Sequence, residues 1–289
     1  MREHHNADYG RLIVQGADRP GIVSSVSGVL TEQGANIVSL DQYSSDPSGG
    51  RFFQRTVFHL EGLSARFDQL KAALDAKLTG ELGLEFRLVE AKRRKRAAIF
   101  VSKADHCLLD LLWRQRRDEI AMTVSMVVSN HPDLGDAVRQ FDIPYFYIPV
   151  EKGKKPAAEK EQLNLLKGNV DLVILARYMQ ILSGEFLDEV GVPVINIHHS
   201  FLPAFMGAGP YQRAKERGVK LVGATAHYVT EDLDEGPIIE QDVIRVSHRD
   251  TAEDLQRKGA DVERLVLSRA VSWHCDDRVI RDGNTTVVF

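Results

Sequence analysis

A run of five consecutive cations, Lys92-Arg93-Arg94-Lys95-Arg96, divides the 289-residue chain into two stretches whose hydrophobic patterns differ. Five like charges in succession repel one another and resist burial, so the run reads as a solvated linker, residues 92–96, between domains 1–91 and 97–289. Any fold proposed for this chain must therefore be two folds. The net charge of −4 makes one short basic run a weak polyanion surface, and neither nucleic acid nor anionic membrane is an expected partner. No apolar run approaches the roughly 20 residues that span a bilayer. The polar first nine residues do not read as a signal peptide. Cys107 and Cys275 are too few for a disulfide framework. The expected setting is the cytoplasm.

Before the linker, residues 9–17 read as a strand and turn at Asp18-Arg19-Pro20-Gly21 into a helix. Pro20 stands near the helix start and Gly34 at its end, while Ile22, Val23, Val26, Val29 and Leu30 share one face. Residues 36–45 and 51–60 read as strands joined by Asp46-Pro47-Ser48-Gly49-Gly50. A second amphipathic helix carries Phe67, Leu70, Leu74 and Leu78, and residues 84–90 form a last strand. The order βαββαβ predicts a ferredoxin-like sandwich.

Through Asp18-Arg19-Pro20-Gly21-Ile22-Val23 and Gly34-Ala35-Asn36-Ile37, residues 8–91 resemble an ACT domain. The resemblance implies a regulatory site for an amino acid between paired copies, with Asp18, Arg19, Pro20, Gly21 and Asn36 as its residues. It also implies a homo-oligomer. Glycine and methionine are the effectors expected there. On local chemistry alone, Asp18 and Asn36 are equally well turn and cap residues.

After the linker, Val/Ile/Phe-rich runs at 97–102, 122–129, 145–150, 170–176 and 192–198 alternate with helical stretches such as 108–117 and 157–167. This predicts a doubly wound, largely parallel, Rossmann-like sheet. Two longer strands follow at 221–230 and 238–246. A final helix is expected to open near Asp250, with Glu253 three residues on as a capping box.

Ligands of open α/β sheets bind beyond the carboxyl ends of the strands. There, Asn196 and His198 stand two residues apart and project from one face, with His199 directed the other way. An amide beside an imidazole aims two donors at one point. Asp234, in Leu233-Asp234-Glu235-Gly236-Pro237, could orient a water or take its proton. Together the three suit attack on a carbonyl. The same residues admit bland readings, a structural Asn-x-His pair and a simple turn. A metal held by His198, His199, His227 and Asp234 is a third possibility; adjacent histidines facing opposite sides, with no tight ligand spacing, count against it, and no metal is expected. Cys107 reads as a small buried residue rather than a thiolate nucleophile.

Residues 97–289 resemble the folate-dependent formyltransferase fold at Asn196-Ile197-His198-His199-Ser200-Phe201-Leu202-Pro203, at His227-Tyr228-Val229-Thr230 and at Leu233-Asp234-Glu235-Gly236-Pro237-Ile238-Ile239. The resemblance implies that Asn196, His198 and Asp234 are catalytic. It also implies a folate pocket along Arg177, Tyr178, Met179, Gln180 and His227, with the pterin against Tyr178 and Met179. The reduced folate would be the substrate, 10-formyltetrahydrofolate, and no separate cofactor is expected.

The acceptor follows from a departure. Glycinamide ribonucleotide transformylases carry a Gly/Ser-rich loop after the first strand that cradles phosphate, because glycine lets backbone N–H groups approach an anion. Here the loop is Ser102-Lys103-Ala104-Asp105-His106-Cys107, without glycine and with a carboxylate. Water becomes the expected acceptor, and the whole chain resembles the formyltetrahydrofolate deformylases. Transfer to an amine, and an amino-acid sensor with a relic catalytic fold, are the alternatives. The segment 205–211, which follows the catalytic strand, could act as a lid.

Overall fold

The computed structural model describes residues 7–202 and 210–289, so the lid expectation falls mostly outside the described residues. The chain forms two units. One runs to Arg94 and includes Asp276–Ile280 and Val287–Phe289; the other comprises Lys95–Cys275 and Arg281–Thr286.

The first unit has the predicted order. Strands β1 (Tyr9–Ala17), β2 (Asn36–Ser44), β3 (Arg51–His59) and β4 (Glu85–Glu90) form an antiparallel sheet in the order β2-β3-β1-β4. Helix α1 spans Ile22–Glu32 and α2 spans Leu63–Leu74, the latter continuing as a π-helical segment, Asp75–Glu81. Gly34, at φ 74°, ends α1 in a left-handed turn in which Ala35 N donates to Leu30 O and Gly34 N to Thr31 O, both at 2.9 Å. Leu12, Val14 and Phe58 turn one way, into a core with Ile22, Val26, Leu30, Leu70 and Leu74.

The opposite face of this sheet is not left to water. Ile280 packs on Ile13 and Phe53, with Phe289 beside them. Arg11, only 1% exposed, bridges Asp276 and Asp277 at 3.2 and 3.3 Å. A second domain running unbroken from 97 to 289 is thus corrected at its C-terminus, because these segments bury their apolar and acidic side chains against β1 and β3. The linker 92–96 is corrected too. Lys95 and Arg96 open strand β5 (Lys95–Val101), and the Arg96 guanidinium is held by both Asp171 oxygens at 2.9 and 3.1 Å.

The second unit places β5, β6 (Met122–Ser129), β7 (Tyr145–Tyr147), β8 (Leu172–Leu175), β9 (Val194–His198), β10 (Leu221–Tyr228) and β11 (Ile238–Arg245) in one sheet. The order is β11-β10-β9-β8-β5-β6-β7, parallel from β7 to β9, with β10 antiparallel to both its neighbours. Among its helices, α3 (His106–Arg116) follows β5, α4 (Gly135–Arg139) follows β6 and α5 (Lys155–Leu166) follows β7. Then come α6 (Gly184–Val190), α7 (Pro210–Arg217) and the long α8 (Ala252–Cys275). The capping box of α8 sits one residue later than expected: Asp254 N donates to Thr251 Oγ1 at 3.1 Å and Thr251 N to Asp254 Oδ2 at 2.9 Å. The strand order reverses between β5 and β8, which makes the ends of those two strands the natural ligand crevice. No helix among the described residues is long and apolar enough to cross a membrane.

Candidate active site

Asn196 and His198 alternate onto one face of β9, as their spacing requires. Antiparallel pairing then sets His227 of β10 directly opposite Asn196, so the two side chains meet: Asn196 Nδ2 lies 3.2 Å from His227 Nε2. His227 Nδ1 reaches Tyr228 O at 3.0 Å. A carbonyl only accepts, so Nδ1 carries the proton and Nε2 accepts from the Asn196 amide. Burial pushes the pKa of His227 down, which keeps the ring in this neutral form. The effect is to fix which way the Asn196 amide points.

Asp234 arrives from the loop between β10 and β11. Its backbone adopts φ 59°, a left-handed conformation that aspartate tolerates better than most residues. The loop folds back on β10 through Tyr228 N to Pro237 O at 2.9 Å, and Gly236 is required there: a Cβ would stand 1.8 Å from Tyr228 O. Asp234 Oδ2 accepts from His198 Nδ1 at 3.3 Å, and Oδ1 faces His227 Nε2 at 3.7 Å. The His198 hydrogen bond, with the nearby imidazoles, holds the Asp234 carboxyl below its ordinary pKa against the opposing effect of burial. His198 Nε2 lies out of water without a hydrogen-bond partner. An imidazole backed by a carboxylate with its far nitrogen unspent is equipped to donate or accept a proton.

A cavity of about 380 Å³ opens on these groups. Arg177, Tyr178, Met179, Gln180 and His227 all line it, together with Asn196, His198 and Asp234. The Tyr178 ring, however, belongs to the core: it packs edge-on against Phe100 at 5.2 Å, and its hydroxyl accepts from Gln162 Nε2 at 3.0 Å. Met179 is 58% exposed at the rim. His199 departs from the expected alternation. Strand β9 ends at His198, so the next side chain is free to turn, and the His199 ring lies 5.3 Å from that of His198 along the same cavity.

Several residues at the site carried no legible signal. Thr225 accepts from Leu202 N and donates to Ser200 O, both at 3.0 Å, which pins the turn that follows His198. Glu263 of α8, 1% exposed, takes His106 Nε2 at 2.8 Å, Tyr211 Oη at 2.7 Å and Arg177 Nε at 3.5 Å. Burial pushes the Glu263 carboxyl up, but His106, Arg177 and Tyr211 outweigh it and hold the group below its usual value. Cys107 adjoins this cluster, and His106, Cys107 and Glu263 are close enough together to hold a metal ion. The chemistry of the set argues otherwise: burial pushes the thiol well up, away from thiolate, and Glu263 is already spent on three partners.

The expected effector residues are divided. Asp18, which accepts from Ser44 Oγ, Arg19, which donates to Leu82 O, Pro20 and Gly21 all sit at the N-terminal end of α1. Asn36 opens β2 beyond the far end of that 11-residue helix, roughly 16 Å away. Within one chain they do not form one site.

Comparison with known proteins completes the picture. Residues 95–271 match the Formyl transferase family and residues 10–75 the ACT domain family. The formyltetrahydrofolate deformylase of Mycobacterium tuberculosis is 61% identical over 98% of this chain and 91% of its own. The chain belongs to the formyltetrahydrofolate deformylases. A crystal structure of a member of that family from Pseudomonas syringae pv. tomato superimposes with a TM-score of 0.93 at 44% identity, covering 97% of this chain and 94% of that one. A glycinamide ribonucleotide transformylase from Symbiobacterium toebii matches only 68% of this chain, with 94% of its own, at 30% identity and a TM-score of 0.64. Membership of the deformylases therefore rests on nearly the whole chain, whereas the likeness to an amine-transferring enzyme covers about two thirds of it.

Proposed function

We propose that this enzyme hydrolyses 10-formyltetrahydrofolate to formate and tetrahydrofolate, with Asn196, His198 and Asp234 performing the chemistry. The observation that carries the reading is the His198–Asp234 pair, whose unspent Nε2 stands beside the oriented Asn196 amide at the cavity. The formyl oxygen would lie between Nε2–H and the Asn196 N–H, which stabilise the negative charge that develops on it. Asp234 orients a water molecule and takes its proton as the oxygen bonds to the formyl carbon. The carbon–N10 bond then breaks, N10 takes up the proton, and formate and tetrahydrofolate leave. The folate would run along the wall formed by Arg177, the backbone at Tyr178, Met179 and Gln180. Purified protein should release formate and tetrahydrofolate in equal amounts with no amine present; absence of formate would overturn the reading.

The same proposal extends to the first unit, as a regulatory module binding glycine or methionine between copies of a homo-oligomer. Its support is the edge strand β2, which leaves Val38 51% and Tyr43 48% exposed, since an open strand edge is a template for pairing. The division of Asp18 and Asn36 between the ends of α1 agrees with a site completed by a second copy. A cytoplasmic setting accords with a chain that has two cysteines, both buried. Deformylation rates with and without each amino acid, beside the sedimentation behaviour, test the effector and the assembly.

A further inference from the structure

Resting on the deformylase reading, we propose that Arg177, set beside the buried Glu263 carboxylate that also holds His106, closes the acceptor side of the crevice and confines formyl transfer to water. The ends of β5 and β8 are where an open sheet of this topology admits a ligand, and the N-terminus of α3 beside them is where a phosphate would be welcomed. In this chain that position is filled from three directions. His106, the first residue of α3, turns its ring to Glu263 at 2.8 Å; Tyr211 reaches the same carboxylate at 2.7 Å; and Arg177 comes from the end of β8 to within 3.5 Å. His106 and Tyr211 spend their polar atoms on Glu263 there, so neither is left to meet a phosphate at the helix mouth.

Arg177 is the wall itself. It lines the reaction cavity, whereas His106 and Glu263 do not. Its residue breaks two local rules at once. The backbone is left-handed, φ 64°, although the side chain is neither glycine nor short. Nε and Nη1 lie out of water without a hydrogen bond. Departures of this kind persist where the surroundings enforce them, and they gather at functional positions. The surroundings here are built for the purpose: the Arg177 carbonyl accepts from Ser102 N at 3.2 Å, and Ser102 Oγ accepts from Met179 N at 2.9 Å, so the loop after β5 clamps both sides of the strained residue. Gly259 leaves room for the Tyr211 hydroxyl, since a Cβ there would stand 2.0 Å from it. The Ser102–Cys107 segment therefore lacks more than a phosphate cradle. It carries the fittings of a barrier.

The test uses the full-length protein, 10-formyltetrahydrofolate and hydroxylamine as a competing nucleophile. Hydroxylamine nitrogen bonds to the formyl carbon, the carbon–N10 bond breaks and N10 takes the displaced proton, giving formylhydroxamate in place of formate. The wild-type enzyme should give formate almost alone, and ready formation of hydroxamate by it would overturn the proposal. Arg177→Gly suits the left-handed backbone and opens the wall. Whatever its effect on the overall rate, it should raise the hydroxamate-to-formate ratio of the products at least tenfold. The double variant Arg177→Gly/Glu263→Gln, which removes the buried charge stranded by the first change, should do the same and admit glycinamide ribonucleotide as well. An unchanged ratio in either folded variant, or loss of all turnover with folate binding intact, would overturn the proposal. Formate release by the wild type without any amine is read separately, so a failure of the deformylase reading is distinguishable.

Discussion

His198 Nδ1 and Asp234 Oδ2 meet at 3.3 Å, and this one contact joins the end of a central strand to a loop that follows the next strand. The contact commits one imidazole nitrogen and leaves the other, Nε2, without a hydrogen-bond partner.

Breaking the pair should therefore affect turnover far more than binding. Asp234→Asn and His198→Ala are each expected to lower kcat by roughly 10²- to 10⁴-fold, the usual worth of a positioned acid or base. The affinity for a non-reactive folate, measured by calorimetry, should change little. Near-normal kcat in either variant would show that the chemistry lies elsewhere.

The loop that carries Asp234 depends on a close approach. In Gly236→Ala the new methyl group collides with backbone, the Tyr228 carbonyl, which cannot swing aside as a side chain can. We expect a stability loss of about 1–3 kcal/mol, typical of overpacking, with a fall in kcat as Asp234 moves off His198. Thermal unfolding and steady-state kinetics on the same preparation check both.

His199 sets a pH dependence of stability. Burial, reinforced by the Arg177 cation, pushes its pKa down from 6.5 to about 4. Between those values the unfolded chain binds a proton that the folded chain does not, so stability rises with pH across that interval and is lost on acidification from 6.5 toward 4. The full effect is at most about 3 kcal/mol, less with partial exposure to solvent. His199→Gln should flatten the denaturation midpoint over pH 4–6.5; an unchanged slope would assign the dependence to other groups.

Asp277 is 1% exposed and holds Arg11 at 3.3 Å and Arg87 at 2.5 Å. Asn keeps its shape and tolerates its left-handed backbone, φ 54°, so Asp277→Asn removes only charge. A guanidinium left buried with half its compensation should cost about 3 kcal/mol, read as a lower denaturant midpoint. A shift below about 0.5 kcal/mol would mean that Asp276 alone compensates Arg11.

The elements that were legible in the sequence share a cause. Period-two alternation brought Asn196 and His198 to one face, and turn residues marked the βαββαβ order, because both depend on neighbours within a few residues. The exceptions appear where that local rule stops. His199 lies one residue past the end of β9, so alternation no longer governed it. Arg11 stands at an outward position of β1 that a strand pattern assigns to water, yet a segment from the opposite end of the chain covers it.

By itself, then, the sequence determined two domains of stated class, the strand end that carries the proposed site and, through matching motifs, the formyl group as its target. Tertiary structure decided what those residues meet. The antiparallel register of β9 with β10 gave Asn196 its partner His227, and the long helix α8 delivered Glu263 to Arg177 and His106 at the switch point. Such contacts join positions far apart in the chain and depend on strand register and helix rotation. Local periodicity carries no record of either, so the sequence could name Asn196, His198, Asp234 and Arg177 as candidates but not the Glu263–His106 cluster that Arg177 meets.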